Sequence, residues 1–259
     1  MESYIVVLLA IMGIAHGNEH NPTCPQNGTE MPGFNDSMRL KLLALHNGYR
    51  SLLALGHVPT TNETFEDYLY FYLSYAPRAS KMRYLKYDCE AEKSAYESAW
   101  NCSNSAFSSE KYDENKRVIE NSNDTYDAAR KAILSWAREA LNLNVTEDDE
   151  EVLYRSNHSI SNFANLAWDT REKVGCSVAK CPLGTTNATT IHVVCHYPKI
   201  EKKEEKPIYK VGMPCEHCNE YAKNADGFFC HADEGVCIIG SRDLDFYNRT
   251  EYFYRFREL

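Results

Sequence analysis

Residues 161–181 read SNFANLAWDTREKVGCSVAKC. The second half, from Lys173 to Lys180, alternates around Val174, Cys176 and Val178, the period of two that marks a strand with one buried face. A second strand follows at 190–197, TIHVVCHY. The turn between them carries a sequon, at Asn187 near its tip. Cys181 and Cys195 bracket that turn, and a disulfide between them is expected.

Upstream the pattern turns helical. Asn35, Asp36 and Ser37 each offer a side chain that can cap a helix start. Leu42, Leu45, His46, Tyr49, Leu52 and Leu53 then share one face of a helix ending at Gly56. A second helix is read over 84–102, with Cys89, Tyr96, Ala99 and Trp100 on one stripe. A third starts at the Asn123-Asp124-Thr125 cap and carries Ala129, Ala132, Ile133, Trp136 and Ala140 at helical spacing. Residues 103–118, polar and serine-rich, read as a loop, and 147–151 as a solvated acidic loop. The most aromatic window is 59–77, with Phe65, Tyr68, Tyr70, Phe71, Tyr72 and Tyr75. Packing of these rings on the body is favoured over an adhesive or lipid-contacting surface.

Two compositional features set the compartment. Residues 4–14 are an apolar run too short to span a bilayer, followed by Ala15-His16-Gly17, so 1–17 reads as a cleaved secretory signal with no membrane span after it. Ten cysteines then remain: Cys24, Cys89, Cys102, Cys176, Cys181, Cys195, Cys215, Cys218, Cys230 and Cys237. An even number in an exported chain reads as five disulfides. Zinc at Cys215-Glu216-His217-Cys218 and Cys230-His231 is the disfavoured alternative. Nine Asn-x-Ser/Thr sites stand at Asn27, Asn35, Asn62, Asn101, Asn123, Asn144, Asn157, Asn187 and Asn248, with Asn101, whose middle residue is Cys102, expected to be too buried for use. A net charge of −9 without a basic stripe argues against a nucleic-acid partner. Residues 201–206, EKKEEK, read as a linker. Beyond it, four cysteines in 207–237 supply the stability that so short a segment cannot draw from a core of its own. An aromatic and charged tail ends the chain.

Several of these segments together resemble the CAP superfamily (cysteine-rich secretory proteins, antigen 5, pathogenesis-related 1). Residues 161–168 stand where that family has a His-aromatic-Thr-Gln-x-x-Trp run before a V-G-C strand. His46-Asn47-Gly48-Tyr49-Arg50 is similar to its H-N-x-x-R motif, Trp136-Ala137-Arg138-Glu139 to W-x-x-E, and Ile119-Glu120-Asn121 to G-E-N. The resemblance implies an α+β fold, a three-layer α/β/α sandwich at 34–200, with a small cysteine-rich, hinge-like extension at 207–259. Cys24, the H-N-x-x-R helix, the V-G-C strand and the cysteine-rich tail together look most like the venom allergen-like and activation-associated secreted proteins of parasitic nematodes.

In many members of that family a cleft holds two histidines and two glutamates, some with zinc. Carried over by motif, the glutamates are Glu120 and Glu139, and one histidine position is Asn162. The other has no counterpart, because no histidine lies between His57 and His158. His46 is expected to fix its helix. Two carboxylates and an amide make a poor zinc site and no nucleophile–base pair. The cleft is therefore expected to be degenerate, with no catalytic residues, metal or cofactor. The resemblance implies a secreted, glycosylated, non-enzymatic factor that meets a host receptor or glycan-binding protein. A carrier of a sterol or fatty acid is the alternative.

Overall fold

The computed structural model describes residues 24, 34–60, 74–105, 109–146, 148–182, 189–201, 203–224 and 227–240. The expected signal at 1–17, the sequons at Asn27, Asn62, Asn187 and Asn248, all the aromatic-window rings except Tyr75, and the tail from 241 lie outside them.

A four-stranded sheet runs in the order β1 (Lys86–Tyr87), β4 (Lys173–Pro182), β5 (Thr189–Pro198), β2 (Tyr112–Glu120). β4 and β5 pair antiparallel, with Cys176 opposite Cys195. Side-chain alternation sends the two faces of β5 to different neighbours. Val193, Cys195 and Tyr197 join the main core with α1 (Asp36–Ala54), α3 (Thr125–Ala137) and α4 (Ser161–Ala167). Val194 instead packs on Ala95 and Ala99 of α2 (Cys89–Trp100). The result is helix, sheet, helix: the three-layer α+β sandwich.

Local chemistry explains the element ends. The Asn35 side chain caps α1 by accepting from Met38 N–H, and Asp124 caps α3 through Tyr126 and Asp127. α2 starts later than the expected 84, because Lys86 and Tyr87 pair with Lys173 and Val174 of β4 and Asp88 then caps the helix. The buried face of α2 keeps only Ala99 of the expected stripe. It is Ala91, Glu92, Ala95, Ser98 and Ala99, while Trp100 stays 56% exposed. Small residues suit that face because α2 lies hard against the sheet. A Cβ added at Gly175 would stand 2.2 Å from Glu92 N and 2.4 Å from Asp88 O.

Over 112–118, β2 corrects the reading of 103–118 as a loop. It is an edge strand whose side chains are mostly half-buried or exposed, so it shows no apolar alternation.

All ten cysteines pair, as Cys24–Cys89, Cys102–Cys181, Cys176–Cys195, Cys215–Cys230 and Cys218–Cys237. The expected Cys181–Cys195 bridge is not formed. Cys181 lies opposite Thr190, five residues short of Cys195, and faces α2 while Cys195 faces the other helices.

The cysteine-rich segment is docked on the body. β6 (Pro207–Lys210) pairs with β3 (Glu151–Leu153), whose first residue had been expected in the acidic loop. β7 (Phe228–His231) and β8 (Val236–Ile239) form a hairpin, with Cys237 N–H donating to Met82 O at 2.7 Å. Ile208, Val236 and Ile238 belong to the main core. In the expected linker, Lys203 is likewise held, on Asp113 at 2.9 Å.

Candidate functional site

The H-N-x-x-R residues of α1 are wholly buried, and each secures a different segment. His46 Nδ1 lies 2.7 Å from Leu42 O, which can only accept, so Nδ1 carries the proton and Nε2 accepts from Tyr197 Oη at 2.8 Å. Burial holds the ring's pKa down to about 4, so it is neutral at pH 7. Asn47 pairs both its amide atoms with the backbone of Leu85, at 3.0 and 2.8 Å. Arg50 donates to the carbonyls of Arg83, Leu166, Trp168 and Asp169 at 2.8–3.2 Å. His46 also stands near the sulfurs of Cys176 and Cys195. Those sulfurs are bonded to each other, so they offer no thiolate to a metal.

At the edge of β2 lies a cleft of about 460 Å³ lined by Asn104, Glu114, Lys116, Arg117, Val118 and Asn162. Beside it, Glu139 is fully engaged. One oxygen accepts the Asn162 side-chain amide at 2.6 Å, and the other accepts the backbone N–H groups of Asn162 and Phe163 at 2.8 and 2.9 Å. These N–H groups open α4, so Glu139 acts as a charged cap supplied from another element. The structure thus brings Glu139 and Asn162 together.

Glu120 is not with them. It ends β2 opposite Thr190, six residues or roughly 20 Å along the strand from Glu114. Glu114 is the carboxylate that lines the cleft. It accepts from Ser98 Oγ at 2.5 Å and meets His196 Nε2 at 3.0 Å. The signal for it was present: Asp113-Glu114-Asn115 contains the same Glu-Asn pair as Ile119-Glu120-Asn121.

A polar network supports this wall. Asp113 takes Arg171 at 2.6 Å and Lys203 at 2.9 Å. Burial pushes the Asp113 carboxyl up, and the two cations outweigh it, leaving it below the usual range. Arg171 also bonds Asn165 Oδ1 at 2.9 Å and lies over the Tyr197 ring. Asn115 donates to Asn162 O at 3.0 Å and accepts from Asn165 at 2.8 Å, tying α4 to β2.

These residues do not fit zinc. Both Glu139 oxygens are occupied, Asn162 presents an N–H to them, Glu114 is already bonded to Ser98 and His196, and the His196 imidazole is buried and outside the cleft lining. The Lys116 ammonium, held by Ser98 and Ser105 oxygens, adds a positive charge to the same wall.

A three-layer α/β/α sandwich with its cleft at the start of α4 defines the class of protein. The model of the cysteine-rich secretory protein family, CAP, matches residues 43–197, and the chain belongs to that family. It is 34% identical over 93% of its length to the whole of hookworm platelet inhibitor 1 of Ancylostoma caninum. It is 30% identical over 85% of its length to 47% of Ancylostoma secreted protein from the same species. Among solved structures, hookworm platelet inhibitor aligns with a TM-score of 0.57 at 32% identity, covering 79% of this chain and 92% of that one. NaASP2, crystallised with Zn2+, aligns with a TM-score of 0.62 at 26% identity, covering 83% and 99%.

Proposed function

We propose that this chain is a secreted, N-glycosylated factor of a parasitic nematode that acts on its host through surface contacts and not by catalysis. One observation carries this: the cleft's chemistry is satisfied internally, with Glu139 spent on Asn162 and the start of α4. Glu114 is likewise engaged, by Ser98 Oγ and His196 Nε2, which leaves no open metal position. Full-length similarity to a hookworm protein named for inhibiting platelets supports a host-cell receptor as partner, with an immunomodulatory or antigenic outcome.

Glycan involvement draws support from the surface. Asn35, Asn101, Asn123, Asn144 and Asn157 are all exposed, Asn101 included, against the expectation of its burial. The carrier reading is less favoured. Leu42, Leu53, Ala129, Ala132 and Ile133, which would wall a groove between α1 and α3, are buried in the core.

The test is binding of the protein, produced in a glycosylating secretory host, to platelets and leukocytes, before and after enzymatic removal of N-glycans. Saturable binding supports the surface reading, and its loss on deglycosylation assigns it to sugar. No binding to either cell type, together with stoichiometric sterol or fatty acid in a lipid extract, would replace it with the carrier reading.

A further inference from the structure

A second cavity, of about 260 Å³, lies where β3, β6 and the segment after α4 meet. It is separate from the CAP cleft and shares no lining residue with it. Its wall carries five charged side chains: Lys81 and Lys210, which both pair with Glu220, the exposed Glu151, and Asp169 and Lys206, which form no ion pair among the described residues. Asp169 is 3% exposed, and its carboxylate accepts the backbone N–H of Lys210 at 3.1 Å, but it forms no ion pair. Arg50, its nearest guanidinium contact, bonds its carbonyl and not its carboxylate, and Lys81 spends its ammonium on Glu220 at 2.7 Å. Lys206 reaches only a carbonyl, that of Glu201, at 3.1 Å. Neither charge reaches the other, although both line one cavity.

A buried carboxylate without a cation is costly, and burial pushes Asp169 up to about 6. A bound ammonium group would recover that cost. An acid on the same molecule would meet Lys206. Trp168, Ile200 and Pro207 add apolar surface to the lining, which suits a short hydrocarbon side chain. We infer that this cavity binds a small zwitterion, a free amino acid with an apolar side chain, with its ammonium on Asp169 and its carboxylate on Lys206. The volume admits such a ligand and is below the range typical of drug-sized ones. The site does not depend on the host-directed reading.

Isothermal titration of the full secreted chain tests it, with leucine as probe and with acetate and n-butylamine as its separated halves. Leucine is expected to bind saturably, and each half at least about tenfold more weakly, since each charge pairs on its own side. Lys206→Met, at an exposed position, should weaken leucine about tenfold without changing the melting temperature. Asp169→Asn should do the same, with Lys206→Met guarding against a folding defect in that variant. Affinity should also fall as pH drops below 6. Three outcomes each overturn the inference: no saturable heat with leucine, acetate binding as tightly as leucine, or leucine affinity unchanged in Lys206→Met.

Discussion

Glu139 binds Asn162 twice, accepting its side-chain amide at 2.6 Å and its backbone N–H at 2.8 Å. In the family's motif a histidine stands at the position of Asn162. An amide here donates inward and turns the carboxylate into a helix cap. The cleft has thereby become part of the fold's support, and two consequences can be measured.

Truncating Glu139 should cost stability and leave metal behaviour unchanged. Glu139→Ala removes three hydrogen bonds to a charged acceptor and uncaps α4. A loss of about 2–3 kcal/mol in urea unfolding is expected. Excess zinc chloride should leave the wild-type melting temperature where it is, because a ligand that binds only the folded state must raise it. A zinc-dependent rise that Glu114→Ala or Glu139→Ala abolishes would show that the carboxylates can be pulled away from their present partners.

Gly175 is predicted to be the least replaceable residue of the V-G-C strand. Its φ is not left-handed, so the demand is one of space. The Cβ of an alanine would meet the backbone of α2 at 2.2–2.6 Å, and backbone cannot swing aside as a side chain can. Gly175→Ala should cost at least about 3 kcal/mol or abolish secretion. Ser177→Ala, at the next position on the same face, should still be secreted. Comparing secreted yield and melting temperature of the two variants checks the claim.

The same spacing argument shows which parts of the fold were legible in the sequence. β4, β5 and α1 bury branched or large apolar residues at periods of two or 3.6, and α3 sets Ile133 and Trp136 among its alanines, so their pattern survives in one sequence. The buried face of α2 has no large apolar residue, so the stripe of Cys89, Tyr96, Ala99 and Trp100 stands out in the sequence although only Ala99 of it is buried. β2 carries Asp113, Glu114, Asn115, Lys116 and Arg117 because one side of an edge strand borders a polar cleft and the other a polar network. Such a strand reads as loop, and the motif resemblance falls on Glu120 while Glu114 is the carboxylate that lines the cleft. Cys195 was matched to Cys181 by distance along the chain, whereas pairing follows face and register. Glu139 and Asn162 were legible because each sits at a fixed offset from a tryptophan, Trp136 or Trp168.

Acid should weaken the fold partly through His46. Its ring is neutral when folded, with a pKa lowered from 6.5 to about 4. Between those values the unfolded chain binds more protons, so this contribution is present above pH 6.5 and is lost as pH falls toward 4. At full extent it is about 3 kcal/mol. Asp169 and Glu234 act in the opposite sense, since burial raises them to about 6 and about 7, and their contributions fade as pH rises through those values. The His46 share is therefore read by difference. Urea midpoints at pH 7, 5.5 and 4.5 should fall more steeply in the wild type than in His46→Gln. Parallel slopes would mean that the ring is protonated in the fold.

Arg50 is the strongest case for a structural reading of H-N-x-x-R. Its guanidinium is fully buried and faces four carbonyl oxygens, from the segment before β1 and from the end of α4 onward. Burial lowers its pKa to about 10, still well above neutrality, so a full charge is held inside by carbonyl dipoles. A lysine keeps the charge but has three donors on one nitrogen, which cannot reach oxygens spread around a planar fork. Arg50→Lys should cost about 2–4 kcal/mol through carbonyls left unbonded in a dry interior. Arg50→Met removes the charge as well, and so avoids burying a poorly solvated ammonium. Arg50→Met should therefore unfold at a urea concentration no lower than Arg50→Lys. If lysine proved clearly the better substitute, charge and not the fork would be what this position supplies.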